Sequence, residues 1–160
     1  MNNKFILKSI LLISIFSLLA AYFIEYILNY KPCNLCIFER IPYFASTVLI
    51  VLSLYSKRFE KFTFGILSII FAIGAIISFY HFGIEQGFFE ESLVCIANNE
   101  TNILNKNDLL NELQNTKISC KNVEFKLFGL SLATINLIIS FFLSAITFKL
   151  FINYEKNRSK

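Results

Sequence analysis

Four long stretches of the chain contain no Asp, Glu, Lys or Arg, and they restrict the possible folds more than any other feature. They cover residues 9–24, 41–56, 62–84 and 127–148. A membrane-spanning helix needs about 20 mostly apolar residues, with a tolerated range of about 17–25. The last two stretches reach this length outright, and the first two reach it when their ends are extended. The sequence therefore predicts an all-α fold, a four-helix transmembrane bundle that forms one integral membrane domain over residues 1–160.

The predicted spans cover residues 5–28, 36–56, 62–82 and 127–152, and the outer connections cover residues 29–35 and 83–126. Composition agrees with this assignment, because 56% of the residues are hydrophobic and the mean hydropathy is +0.60, which is too apolar for an ordinary soluble domain. The first stretch follows two lysines, so a cleaved secretory signal is an alternative. The apolar region of such signals runs about 7–15 residues, and this stretch is longer, so we expect it to be the first span.

The basic residues predict the orientation in the membrane. Nine of the 15 lie before the first span, between the second and third, or after the fourth: Lys4, Lys8, Lys57, Arg58, Lys61, Lys149, Lys156, Arg158 and Lys160. The positive-inside rule makes that side cytoplasmic, so both termini are predicted to be cytoplasmic and both outer connections to lie on the opposite side. No basic stripe is interleaved with a stacking surface, so nucleic acid is not expected as a partner.

All four cysteines, Cys33, Cys36, Cys95 and Cys120, lie in or beside the two outer connections. Disulfides form and persist outside the cytosol, and an even number of cysteines suggests pairs, with three possible connectivities. If the run after Cys33 is helical, Cys36 and Arg40 lie at i and i+4 on one face, about 6 Å apart at Cβ. A nearby positive charge and a helix N-terminus each lower the pKa of a thiol. The spacing therefore predicts a reactive Cys36 thiolate at the membrane–water boundary.

Two cysteine pairs on one side of a membrane suggest a relay by thiol–disulfide exchange, in which each step is the attack of a thiolate on a sulfur. The alternative is a zinc site made of all four cysteines. Structural zinc sites often repeat a close ligand spacing, whereas Cys95 and Cys120 are 25 residues apart, so no metal is expected. A third class is a small transporter or channel subunit. Its spans would normally carry buried charges or broken helices, and none is evident in the four stretches.

Several motifs occur together along the chain. They are Pro32-Cys33-Asn34-Leu35-Cys36 with Glu39-Arg40 and Pro42-Tyr43, Tyr80-His81-Phe82-Gly83-Ile84-Glu85-Gln86-Gly87, the pair Cys95 and Cys120, and Phe128-Gly129-Leu130-Ser131-Leu132-Ala133 with Asn136. In this combination the sequence resembles the disulfide bond formation protein B (DsbB) family, over nearly the whole chain and with four spans in the expected order.

The resemblance implies a quinone-linked membrane thiol oxidase of the bacterial inner membrane. Cys95 and Cys120 would reoxidise a periplasmic thioredoxin-like dithiol oxidase of the DsbA type, and Cys95 would form the mixed disulfide with that partner. Cys33 and Cys36 would then regenerate the Cys95–Cys120 disulfide through a transient Cys33–Cys120 bridge. The four cysteines are thus the expected catalytic residues.

The resemblance also implies a cofactor, ubiquinone or menaquinone, drawn from the quinone pool of the lipid bilayer. Cys36 would face the bound quinone as a thiolate, and Arg40 would hold it together with the developing negative charge. His81 would lie near the quinone or, alternatively, at the interface among lipid head groups.

Three further features of the outer side leave alternatives open. Glu39 could pair with Arg40 or Lys31, but exposure to water is the favoured interpretation. Pro42 fits the first turn of a helix that begins near it, or a kink in a helix that begins several residues earlier. Residues 107–113, with a capping Asn-Asp pair before three leucines, predict a short amphipathic helix in the second outer connection.

Overall fold

The structure is a computed structural model, and it describes residues 3–55, 60–91, 95, 120–121, 125–127 and 129–158. In that part of the chain the elements are α1 (Asn3–Tyr26), α2 (Asn34–Phe38), α3 (Ile41–Tyr55), α4 (Glu60–Glu85), β1 (Lys126–Leu127), β2 (Leu130–Ser131) and α5 (Leu132–Arg158). Four segments are long and apolar enough to cross a membrane, namely α1, α2 together with α3, α4, and α5. The predicted all-α four-helix transmembrane bundle is confirmed. The amphipathic helix predicted at residues 107–113 lies outside the described residues.

Large apolar side chains cover the outer surface of the spans, as expected for a surface that faces lipid. One side chain on each span illustrates this, with an exposure of 63–71%: Phe16, Phe44, Ile76 and Phe141. Polar side chains lie inside instead. Ser14 and Ser46 are fully buried, and their hydroxyl oxygens are 3.1 Å apart between α1 and α3. Because lipid cannot satisfy polar groups, such interhelical hydrogen bonds are typical of membrane bundles.

The helices pack in chain order, with α1 on α3, α3 on α4, and α4 on α5. Their shared core consists of Leu7, Ile10, Tyr43, Ile50, Phe64, Leu67, Phe71 and Leu143. Gly65 of α4 allows close packing on α5, since a Cβ at this position would lie 3.2 Å from the Phe151 ring. Helices α1 and α5 therefore stand at the two ends of the packing order.

The second span is broken between Phe38 and Ile41, where a two-residue turn separates α2 from α3. A proline inside a helix lacks a backbone N–H, and its ring collides with the carbonyl of the residue four positions earlier. For Pro42 that residue is Phe38, the last of α2, so Pro42 lies in the first turn of α3. The prediction that Cys36 and Arg40 lie on one continuous helix face is therefore wrong, because Arg40 lies in the turn.

Helix α4 ends at Glu85 in a Schellman motif, in which Gly87 takes a φ of 77°. The N–H of Phe88 donates to the carbonyl of Gly83 at 2.8 Å, and the N–H of Gly87 donates to the carbonyl of Ile84 at 3.0 Å. This turn folds Phe89 back onto Gly83, where a Cβ would lie 2.1 Å from the Phe89 ring.

Helix α5 begins at Leu132, later than the predicted start of the fourth span at residue 127. The difference arises because β1 and β2 pair as an antiparallel hairpin, with Lys126 opposite Ser131. Gly129 makes the tight turn possible with a φ of 83°. The hairpin brings Leu127 to the outer end of the bundle beside the first residues of α5.

Candidate functional site

Cys33 caps the N-terminus of α2, with an extended backbone (φ −71°, ψ 166°). Its sulfur accepts a hydrogen bond from the backbone N–H of Cys36 at 3.2 Å. Hydrogen bonds from the Cys36 thiol and from this N–H both lower the pKa of the Cys33 thiol, although burial acts in the opposite direction. The sequence assigned the stabilised thiolate to Cys36. The structure places it at Cys33, because the first cysteine of the pair occupies the cap position.

His81 lies directly beside Cys33. Its Nε2 atom is 3.6 Å from the Cys33 sulfur, and its Nδ1 atom is 2.8 Å from Oε1 of Glu39. A carboxylate accepts hydrogen bonds, so Nδ1 carries a proton, and Nε2 is the ring nitrogen that faces the sulfur. The histidine is 3% exposed. The alternative that placed His81 among lipid head groups is therefore wrong.

Glu39 is the centre of a buried polar network. Its Oε2 atom accepts a hydrogen bond from the Asn136 amide at 3.0 Å, and the same amide donates to the Ser78 hydroxyl at 2.8 Å. The Tyr43 hydroxyl donates to the Asn136 side-chain oxygen and lies 3.0 Å from the Ser140 hydroxyl. The expectation that Glu39 faces water is wrong, since it is 7% exposed. Its charge is instead held by partners on α4 and α5.

Arg40 points across the outer end of the bundle toward α1. Its Nη1 atom is 2.5 Å from Oε2 of Glu25, and its guanidinium lies 5.0 Å from the centre of the Tyr22 ring. The Glu39–Arg40 pair considered from the sequence is not formed. Arg40 contacts Glu25 of α1, whereas Glu39 contacts His81 of α4 and Asn136 of α5. Arg40 thus ties the broken second span to the first.

A cavity of about 300 Å³ joins these groups. Cys36, Arg40, His81 and Asn136 lie along its polar side, and its apolar walls come from α1 and α5, including Phe16, Ile24, Leu132 and Ile139. The gap between α1 and α5, the two helices at the ends of the packing order, forms one side of this cavity. A larger groove of about 620 Å³ lies between α4 and α5, and none of these polar groups lines it.

All four cysteines meet at one place. Cys95 and Cys120 form a disulfide, with Cα atoms 5.9 Å apart, while Cys33 and Cys36 carry free thiols. Cys33, Cys95 and Cys120 are buried in one cluster with Leu35 and Ile84, and Cys36 packs against it. The zinc site made of all four cysteines is therefore wrong, because two of its sulfurs are bonded to each other.

Sequence reasoning gave no role in the site to several polar residues that the structure places there. Asn136 is an isolated amide in an apolar stretch, and polar side chains in spans usually bond to another helix, which is the signal that could have found it. Glu85 also lies inside, with Oε1 3.8 Å from Nε2 of His81 and with a buried Oε2 that has no hydrogen-bond partner among the described residues. The statement that the spans lack a buried charge or a break is wrong at this end, where the turn at Glu39 supplies both.

Comparison with known proteins gives a family match over most of the chain. Residues 3–150 match the family described as disulfide bond formation protein DsbB. The chain is 36% identical over 83 residues to the uncharacterized protein RP370 of Rickettsia prowazekii (strain Madrid E), covering 52% of this chain and 48% of that protein.

A second relative carries a functional name. The chain is 31% identical over 98 residues to the SPbeta prophage-derived disulfide bond formation protein B of Bacillus subtilis (strain 168), covering 59% of this chain and 64% of that protein. The matched segments thus span less than two thirds of the length of these curated relatives. No solved structure matches the chain.

Proposed function

Because the chain belongs to the disulfide bond formation protein DsbB family, we propose that it is a membrane thiol–disulfide oxidoreductase. It reoxidises a thioredoxin-like dithiol oxidase of the DsbA type in the periplasm and passes the electrons to a quinone of the inner membrane. The observation that carries this proposal is the packing of all four cysteines at one place, beside a cavity with apolar walls from α1 and α5. Disulfide formation in exported proteins is the biological outcome.

The Cys95–Cys120 disulfide acts on the partner by two exchange steps. A thiolate of the partner attacks the Cys95 sulfur and releases the Cys120 thiolate. The second thiolate of the partner then attacks its own bridged sulfur and releases Cys95. The partner leaves with a disulfide, and Cys95 and Cys120 have gained two electrons.

The Cys33–Cys36 disulfide restores the loop pair in the same way. The Cys120 thiolate attacks the Cys33 sulfur and expels Cys36, and the Cys95 thiolate then attacks Cys120 and expels Cys33. The two electrons now reside on Cys33 and Cys36, and the loop disulfide is back. A disulfide at Cys95–Cys120 beside free thiols at Cys33 and Cys36 is the arrangement that these steps leave.

His81 manages the proton of the Cys33 thiol. In its neutral form, with the proton on Nδ1, the imidazole has Nε2 3.6 Å from that sulfur, and Nε2 accepts the proton when Cys33 re-forms its disulfide. Glu39 stabilises the imidazolium through Nδ1, and Asn136 holds Glu39 in place.

The cavity fits a quinone. Its volume of about 300 Å³ is at the lower end of small-molecule pockets, about 300–1,000 Å³, and its apolar walls suit a ring with a hydrocarbon tail. When bound, ubiquinone or menaquinone supplies a two-electron, two-proton acceptor. Arg40 would hold it, because a guanidinium has five N–H donors and the short contact with Glu25 involves one nitrogen, Nη1. Cys36 lines the same cavity.

The orientation proposed for the bundle follows the basic residues. The cysteine-bearing end faces the periplasm, where a disulfide persists, and both termini lie in the cytoplasm. The periplasm is kept oxidising kinetically through a quinone-linked route, so a chain of this kind supplies a needed link.

The purified chain in detergent, given a reduced thioredoxin-like partner and ubiquinone, should oxidise the partner and reduce the quinone. Arg40→Ala should slow quinone reduction about 10- to 100-fold, since a hydrogen bond to a charged group contributes about 1.5–3 kcal/mol. Thiol exchange with the partner should change much less. Lys149→Ala is the matched control, because Lys149 is an exposed cation at the opposite end of the bundle.

Two results would contradict the proposal. Equal loss in both half-reactions would remove Arg40 from the quinone site, and failure to reduce any quinone with a dithiol donor would remove the function itself.

The partner is identified with Cys120→Ser, which should accumulate a mixed disulfide at Cys95. Cys95→Ser should block partner oxidation and leave the Cys33–Cys36 disulfide able to form.

A further inference from the structure

The free thiols of Cys33 and Cys36 share their site with His81. One ligand atom from each of the three residues lies within 4.8 Å of the other two. Two thiols and an imidazole are the donor set that zinc and similar thiophilic cations prefer. This set includes only two of the four cysteines considered from the sequence, and it uses a histidine that was not considered as a ligand.

The distances fit a tetrahedral ion. Zinc binds sulfur at about 2.3 Å and imidazole nitrogen at about 2.0–2.1 Å. At a tetrahedral angle these bond lengths place the sulfur and the nitrogen about 3.6 Å apart and two sulfurs about 3.8 Å apart. The Cys33 sulfur and Nε2 of His81 are 3.6 Å apart. The Cys36 sulfur lies within 4.8 Å of both other ligand atoms, so it must approach them by up to about 1.2 Å to complete the three ligands.

The surroundings of His81 are those of a metal-ligating histidine. Such a residue nearly always donates its second ring N–H to a carboxylate or carbonyl, which fixes the ring and the tautomer. Here Nδ1 donates to Glu39 at 2.8 Å, and Glu39 is fixed in turn by Asn136 at 3.0 Å. The nitrogen that remains is the one that faces Cys33.

A second carboxylate lies beside His81. Oε1 of Glu85 lies 3.8 Å from Nε2 of His81, and its buried Oε2 has no hydrogen-bond partner among residues 3–55, 60–91 and the other described positions. A buried polar atom without a partner is costly, and a cation or its bound water beside Glu85 would satisfy it.

We propose that Cys33, Cys36 and His81 form a Cys2His binding site for Zn²⁺ when both thiols are reduced. Glu39 positions the histidine, and the fourth coordination position is open to water or to Glu85. Binding replaces two thiol protons by one divalent cation, so two protons leave and the two thiolates with the ion are neutral together. The site does not exist when Cys33 and Cys36 form a disulfide, because the sulfur lone pairs are then no longer those of thiolates.

Zinc binding would hold the chain in its dithiol form. Neither sulfur can form the Cys33–Cys36 bond while both coordinate the ion, so electrons cannot leave toward the cavity. This consequence rests on the proposed function, whereas binding itself does not. A chain that binds zinc but reduces no quinone would therefore refute the function and leave the site intact.

The test uses the full chain in detergent, reduced with a phosphine that is then removed under argon. Zn²⁺ affinity is measured by competition with a chromophoric chelator, and Cd²⁺ titration follows the ultraviolet thiolate-to-metal absorption. We expect one ion and two thiolates per chain, and no binding after Cys33 and Cys36 are oxidised. Glu39→Gln should weaken binding about 10- to 100-fold, as is typical for a residue that orients a ligand, and His81→Ala should weaken it further.

Two matched controls separate this site from other sources of binding. Cys95→Ser combined with Cys120→Ser should leave affinity unchanged, as should Glu90→Gln, which alters an exposed carboxylate near the end of α4. Loss of binding in the Cys95/Cys120 variant would overturn the proposal, as would full affinity in both His81→Ala and Glu39→Gln. The Glu39→Gln variant keeps the side-chain shape, so it remains informative if His81→Ala does not fold.

Discussion

Replacing Asn136 with leucine should destabilise the bundle by about 2–4 kcal/mol, although the two side chains have similar size. Asn136 makes three hydrogen bonds in the structure, to Glu39, Ser78 and Tyr43. The Ser78 hydroxyl would keep its bond to the Gly74 carbonyl at 3.0 Å. Tyr43 would keep its bond to a neighbouring serine. Oε2 of Glu39 would lose the hydrogen bond that it accepts from the Asn136 amide.

The expected magnitude follows from this difference between the three partners. An interhelical hydrogen bond in a membrane protein contributes about 0.6 kcal/mol on average, so the losses at Ser78 and Tyr43 sum to about 1.2 kcal/mol. A buried acceptor left without its partner costs about 1–3 kcal/mol, and more when it is charged. Glu39 is buried, so its loss is the largest part.

The assay is an equilibrium unfolding titration in mixed detergent micelles, followed by far-ultraviolet circular dichroism. Ser140→Ala is the matched control, because it removes one of the two hydrogen bonds of Tyr43 and should cost about 0.6 kcal/mol. A double-mutant cycle with Glu39→Leu should give a coupling energy of about 0.5–3 kcal/mol. If Asn136→Leu costs no more than Ser140→Ala, the idea that Asn136 holds a buried charge is refuted.

Two further predictions concern the cap and the end of α4. Iodoacetamide should alkylate Cys33 with a midpoint pH below that of an ordinary thiol, because a lowered pKa gives more thiolate at any given pH. Cys36→Ala removes the thiol donor and should move that midpoint to higher pH in peptide mass spectrometry; an unchanged midpoint would contradict the hydrogen-bond explanation. Gly83→Ala should lower Tm more than Gly65→Ala, because a Cβ would meet the Phe89 ring at 2.1 Å in the first case and its nearest neighbour at 3.2 Å in the second. Displacing that ring forfeits aromatic contacts of about 0.5–1.5 kcal/mol each, and equal Tm values would contradict this packing.

The spans could be predicted from the sequence because each is a local stretch of apolar residues that must form its own hydrogen bonds in lipid. The polar network could not, because the Asn136–Glu39 bond joins residues 97 positions apart and depends on how α5 is rotated against the turn before α3. Pro42 allowed two helix starts from the sequence. That choice decided whether Glu39 pointed inward and whether Arg40 stayed near Cys36, so an error at one proline propagated to both residues.

The assignment of the stabilised sulfur failed for a similarly local reason. The sequence identified the Cys-x-x-Cys pair and a helix start nearby. It did not show which of the two cysteines, three residues apart, is the cap residue of that helix. Only the backbone geometry at Cys33 decides it. By contrast, the resemblance correctly implied the Cys95–Cys120 pairing, although the residues between them gave no local signal for it.

The two-residue turn at Glu39 and Arg40 separates two functions within one span. The cap residue Cys33 and the five residues of α2 carry the reactive sulfurs, and the fifteen of α3 carry the contacts with α1 and α4. Forming or breaking a disulfide at Cys33 and Cys36 can therefore change the geometry of the short α2 without displacing the long α3. A continuous helix through the bilayer would transmit such a conformational change to the neighbouring helices, whereas the turn confines it to the outer segment.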